Sequence, residues 1–94
     1  MKALLGQQLC EREFAEAFAA LYHYIDLSNE EVFLRQKKRV TPETWKYWRD
    51  GIRSTLALPT LKRAWDEIKP AVPEFFTELR RLEQSGFVDD PAEW

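Results

Sequence analysis

The chain has 94 residues, 45% hydrophobic and 32% charged, the balance of one globular domain with a single modest core. No apolar run approaches the ~18 residues that span a bilayer, and one cysteine, Cys10, excludes an internal disulfide and suits a reducing, cytoplasmic setting. The net charge of −2 hides a strong polarity: residues 1–34 carry −4, residues 35–63 carry +7 and residues 64–94 carry −5.

Thirteen of the residues are aromatic, four of them Trp, so a few large side chains can fill the core. Only three glycines occur and every proline lies beyond residue 41, a scarcity of breakers that favours helices. The opening "MKALLG" is cut off at once by Gln7 and Gln8, which argues against a signal peptide, and no small residues precede Cys10 to mark a lipid anchor.

The first predicted helix covers about residues 2–24. Leu5 and Leu9, then Phe14, Phe18, Leu21 and Ile25, form its apolar stripe, and the part before Glu11 is expected to fray. "DLSNEEV" reads as a boundary: Ser28 as N-cap, Glu31 at the third position of a capping box, and Leu27 with Val32 as a hydrophobic staple. A second helix then runs to about Lys38, with Val32 and Phe33 inward. "VTPETW" repeats the grammar, with Thr41 as N-cap, Pro42 at the first helical position and Val40 with Trp45 as staple. The third helix places Trp45, Trp48, Ile52 and Leu56 on one face.

Pro59 opens a fourth helix with Leu58, Leu61, Trp65 and Ile68 inward, and Pro70 is expected to stop it. A fifth is predicted to start at Pro73, with Val72, Phe75, Phe76, Leu79 and Leu82 inward. Gly86 then suits a left-handed residue just past its end, with Phe87 touching Leu82. Residues 86–94 read as an irregular acidic tail, and Trp94 belongs to no stripe. With no repeat and no strand pattern, the expected architecture is all-α, a compact single-domain bundle of four to five short helices.

Little here points to catalysis. His23 and Cys10 are the only ones of their kind, which argues against a metal site. On one continuous helix they would stand roughly 20 Å apart, too far for a nucleophilic pair. The carboxylate pairs Glu30–Glu31, Asp66–Glu67 and Asp89–Asp90 read as solvated charge, and no Gly-rich phosphate loop or nucleophile elbow occurs. No catalytic, cofactor-binding or metal-binding residue is therefore expected.

The distinctive feature is basic. "RQKKR" supplies Arg35, Lys37, Lys38 and Arg39, and Lys46, Arg49, Arg53, Lys62 and Arg63 follow. These nine are the candidate macromolecule-binding residues, and Lys37, Lys38, Arg39, Lys46, Arg49 and Arg53 are expected to be mostly exposed. A helix, a short turn and a basic helix resemble a helix-turn-helix, whose phosphate contacts need such a surface. Against nucleic acid stand Glu43 and Thr44 in the first turn of the would-be recognition helix, the absence of glycine in the turn and the acidic chain. Trp45 and Trp48 share their stripe with aliphatic residues and read as core; Tyr47 lies off it.

"DLSNEEVFLRQKKRVTPETWKYWRDGIRSTLALPTLKRAWDEIKPAVPEFFTELRRL" resembles a family of small bacterial helical domains of unknown function. Their pattern is an aromatic-rich first helix, W-x2-W-x3-I, a leucine, a proline, a second tryptophan and a phenylalanine in the last helix. Here Trp45, Trp48, Ile52, Leu56, Pro59, Trp65 and Phe75 or Phe76 match it, over about residues 14–82. The resemblance implies an all-helical fold. Relatives are often tethered to a membrane by a preceding helix, an expectation that the short apolar runs of this chain do not meet.

The reading is a non-enzymatic adaptor that binds another macromolecule, most readily a protein, through a charge-polarised helical surface. Phage and mobile-element inhibitors are one class of such proteins. The alternative is a nucleic-acid binder using residues 35–63.

Overall fold

The computed structural model describes residues 9–94. Four helices, α1 (Glu11–Gln36), α2 (Pro42–Leu56), α3 (Pro59–Ala71) and α4 (Thr77–Gln84), are followed by a short 3-10 turn, Pro91–Glu93. Among the described residues there is no strand, and no helix is long and apolar enough to cross a membrane. The predicted helical run through Leu5 lies outside the described residues.

The first two predicted helices are one. Phe14, Leu21, Ile25, Ser28, Val32 and Arg35 are all buried along α1, a stripe whose helical register passes through residue 28 unbroken. Neither glycine nor proline interrupts that run, so the capping signature at Ser28 is overruled by the continuous face. The Ser28 hydroxyl donates to the Tyr24 carbonyl at 2.9 Å, as a serine inside a helix does. Leu27 is exposed, so no staple forms. The start of α1 is instead capped at Cys10, whose backbone N–H donates to the Glu13 carboxylate at 3.1 Å. Hydrogen bonds from the Cys10 side chain and backbone hold the Glu13 carboxyl below its usual range.

The next two helices follow their sequence signals closely. Thr41 caps α2 by accepting from the Thr44 N–H at 3.2 Å, with Pro42 at the first position. Trp45, Ile52 and Leu56 are buried, and Trp48 is half-buried at the edge of the stripe. On α3, Leu61, Ala64, Trp65 and Ile68 face the core. Pro70 does not stop α3, which continues through Ala71. One hydrogen bond lost in the last turn is tolerated, and it is Pro73 that drives Val72 out of helical geometry, at φ −132° and ψ 68°.

The last helix starts four residues later than Pro73. Phe76 adopts a left-handed conformation, φ 60°, which turns its ring into the core against Tyr22 and Trp65 and leaves Phe75 52% exposed. Arg80 holds this turn by donating to the carbonyls of Phe75, Lys69 and Val72 at 2.7, 3.0 and 2.9 Å. Phe76 has no side chain to cap α4, and Asn29 of α1 does so from across the bundle, its side-chain oxygen accepting from the Leu79 N–H at 2.9 Å. The end of α4 is as expected: Gly86 at φ 73°, its N–H bonded to Glu83, and the Phe87 N–H bonded to the Leu82 carbonyl at 3.0 Å.

α1 is the spine. α3, α4 and the 3-10 turn pack along it, while α2 packs on both α1 and α3. Trp65, 1% exposed, is central to this core, and the buried edge-to-face ring contacts of Phe76 extend it toward Tyr22.

Candidate macromolecule interface

The nine basic residues separate into two groups. Arg35 is not on the surface at all. It is the last buried position of the α1 stripe, 8% exposed, and its guanidinium donates to both carboxylate oxygens of Asp90, at 2.8 and 2.7 Å, and to the Val40 carbonyl at 2.8 Å. The Arg35 hydrogen bond, with the Ala92 N–H adding to it, holds the Asp90 carboxyl below its usual range. Arg49 adds a smaller attraction to Asp90 and lies 3.3 Å from Asp50. Its side chain is only 28% exposed, less than expected. On α3, Lys62 pairs with Asp66 at 2.7 Å. Arg63 pairs with Glu11 and Glu67 and lies 3.8 Å over the Phe14 ring.

The remaining five behave differently. Lys37, Lys38, Arg39, Lys46 and Arg53 are exposed and make no ion pair with the described residues. Lys37 lies 5.5 Å from the Phe33 ring, an exposed cation–π contact. Elsewhere the described cations are engaged: Arg12 with Glu16, Lys69 with Glu83, Arg80 with backbone carbonyls, and Arg81 over the Trp94 ring at 4.5 Å.

Local geometry explains how the turn presents its charge. The Lys38 N–H bonds to the Arg35 carbonyl and the Arg39 N–H to the Leu34 carbonyl, both at 2.9 Å, so α1 ends in the same two-bond motif as α4. The left-handed position is filled by Lys38, φ 60°, where glycine is the usual occupant. Three cations at this end of α1 also complement the negative end of its dipole, which is a structural reason for their presence. Tyr47, on the outer face of α2, is 81% exposed beside Lys46.

The C-terminal residues hold what the sequence reading missed. Asp90 is both the anchor for Arg35 and the cap of the 3-10 turn, accepting from the Ala92 N–H at 3.0 Å. Pro91 is buried, and the Trp94 indole donates to Asp89 at 3.2 Å, so this segment is packed on the bundle. Asp90-Pro91-x-Glu93 repeats the Thr41-Pro42 start grammar and was the available signal. Two groups away from the charged surface are notable for their burial. The Trp45 indole N–H is buried, and Glu31 is half-buried with its carboxyl raised by that burial.

Cys10 and His23 are exposed and lie at separate levels of α1, and no cluster of metal-ligand side chains occurs among the described residues. Searches of protein-family models, of curated proteins and of solved structures found no match.

Proposed function

We propose that this protein is a non-enzymatic binding module that docks an acidic surface of another protein on the turn between α1 and α2 and the adjoining flank of α2. The observation that carries this reading is the sorting of cations. Among the described cations outside the segment, all pair with acids except Arg80 and Arg81, which are held by backbone carbonyls and by the Trp94 ring, whereas Lys38, Arg39, Lys46 and Arg53 have none of these partners and Lys37 has only its exposed contact with the Phe33 ring. Unpaired cations gathered on one surface steer an oppositely charged partner and raise its association rate. Of the left-handed non-glycine residues Lys38, Phe76 and Phe87, Lys38 alone is exposed, and it stands in the middle of the patch.

A protein partner fits better than nucleic acid. The exposed Glu43 stands in the first turn of α2, where a recognition helix would meet base edges, and the helix before the turn is the 26-residue α1. Fluorescence anisotropy at low salt tests this with a short labelled Glu-rich peptide, a mixed-sequence DNA duplex and a single-stranded RNA. The peptide should bind in a salt-sensitive way, and the triple change Lys37→Gln, Lys38→Gln, Arg39→Gln should weaken it at least about tenfold without shifting the far-UV circular dichroism. Tighter binding of DNA or RNA would replace this reading with the nucleic-acid one, and no binding of any probe would sink both.

A further inference from the structure

Beside the exposed flank of α2 lies a groove of ≈ 420 Å³, bounded by the end of α2, one face of α3, and Glu83 and Phe87 at the end of α4. Its size suits one or two side chains of a ligand. The apolar part of its lining is Leu56, Ala57, Trp65 and Phe87, of which Leu56 and Trp65 are buried, Phe87 is half-buried and Ala57 is exposed. The polar wall is a closed chain of charges. Lys62 bonds Asp66 at 2.7 Å, Lys69 bonds Glu83 at 3.0 Å and reaches Asp66 at 3.8 Å, and the Trp65 indole donates to Glu83 at 2.9 Å. Arg53 is the cation of this lining that has no acid. The groove therefore has an apolar floor, a self-satisfied wall and one unspent positive charge at the α2 edge.

Arg53 is also the far end of the exposed cations on α2. Lys46 precedes it by seven residues, about 10 Å along a helix, on nearly the same side. Arg49 lies between them but is attracted to Asp50 and Asp90, so the two free charges are Lys46 and Arg53. A peptide in polyproline II form rises ~3.1 Å per residue with about three residues per turn, so carboxylates three positions apart lie on one side, about 9 Å apart, and match that separation.

We infer that the groove is the anchor pocket for the partner: an acidic segment in polyproline II form with two carboxylates three residues apart and an apolar side chain next to the second. The first carboxylate meets Lys46. The second takes the guanidinium of Arg53, a geometry suited to a paired hydrogen bond. The apolar side chain covers Phe87 and Ala57. This inference rests on the proposed binding of an acidic protein surface, and it adds the pocket that would give such binding its sequence preference.

Two labelled peptides test it, Glu-Ser-Ser-Glu-Phe and Glu-Ser-Ser-Glu-Ser. The Phe peptide should bind about tenfold more tightly, the worth of partly burying one aromatic side chain. Arg53→Gln should erase that advantage while leaving the melting temperature and circular dichroism unchanged, since Arg53 is exposed and makes no ion pair. In 1H–15N spectra the Phe peptide should shift the Trp65 indole and Phe87 amide signals. Equal affinities, or a Phe advantage that survives Arg53→Gln, would overturn the pocket. If both peptides bind equally and shift only Lys37–Arg39, the pocket fails and the wider reading stands. If neither binds, both fail.

Discussion

Two helices of this protein end in the same backbone motif, and the two ends differ in what fills it. At the end of α4 the residue filling the motif's left-handed position is Gly86, φ 73°, and the following Phe87, also left-handed at φ 61°, packs against the core. At the end of α1 it is Lys38, φ 60°, followed by the exposed Arg39. At the position the two ends share, the first uses the residue that makes a left-handed backbone cheap, and the cost of Phe87 beside it accompanies the burial of its ring against the core. The second carries a cation there at a backbone cost of about 1–2 kcal/mol. Packing does not require that lysine, so the difference points to its charge. The end of α1 is also split within itself: Arg35 is sequestered by Asp90, while Lys37, Lys38 and Arg39 face solvent.

The sharpest way to break this comparison is to open the Arg35 contact. Arg35→Ala removes three charge-assisted hydrogen bonds at a buried position and should cost about 2–4 kcal/mol in urea melts. A cost under about 1 kcal/mol would mean that the C-terminal segment is not held by this pair. The glycine is next. Gly86→Ala should cost about 1–2 kcal/mol, purely from backbone conformation, because an added Cβ would meet nothing within 4 Å. Lys38→Gly should act in the opposite direction, raising stability by up to about 1 kcal/mol. It should also weaken the Glu-rich peptide. If Lys38→Gly destabilises, the lysine has a packing role and the contrast between the two ends disappears.

Acid titration separates two carboxyls of opposite behaviour. Asp90 is held down by Arg35, so its contribution is complete above the unfolded value and is lost as pH falls through its lower folded value. Stability should drop below about pH 4, and Asp90→Asn should flatten that limb. Glu31 is pushed up by burial, so the fold favours its protonated form and stability declines as pH rises from the unfolded value to the raised one. Glu31→Gln should therefore raise the melting temperature at neutral pH; a lower one would mean that the carboxylate has an ionic role. The smallest effect is expected at Ser28. Since it is not a cap, Ser28→Ala should change stability by no more than about 0.5 kcal/mol, against the ~1 kcal/mol of a lost N-cap.

The sequence alone determined the elements whose signals are local. The stripe of Trp45, Trp48, Ile52 and Leu56, the Thr41–Pro42 start of α2 and the Gly86 end of α4 depend on neighbours within one or two turns, and each stands as read except that Trp48 is half-buried at the edge of its stripe. The basic segment was equally plain as composition, because charge can be counted without a fold. Tertiary structure decided what distant partners control. Ser28 and Glu31 carry the signature of a helix start, yet the continuous buried stripe keeps α1 in one piece, and Asn29 beside them caps α4 instead. Phe76 leaves helical geometry because the core around Tyr22 and Trp65 accepts its ring and Arg80 secures the turn. Arg35 is withdrawn from its basic neighbours because Asp90, 55 positions away, reaches its guanidinium. A local code can favour a cap or place a charge. Which of its offers is taken depends on burial and pairing across the chain, and those free energies exist only once the elements have packed.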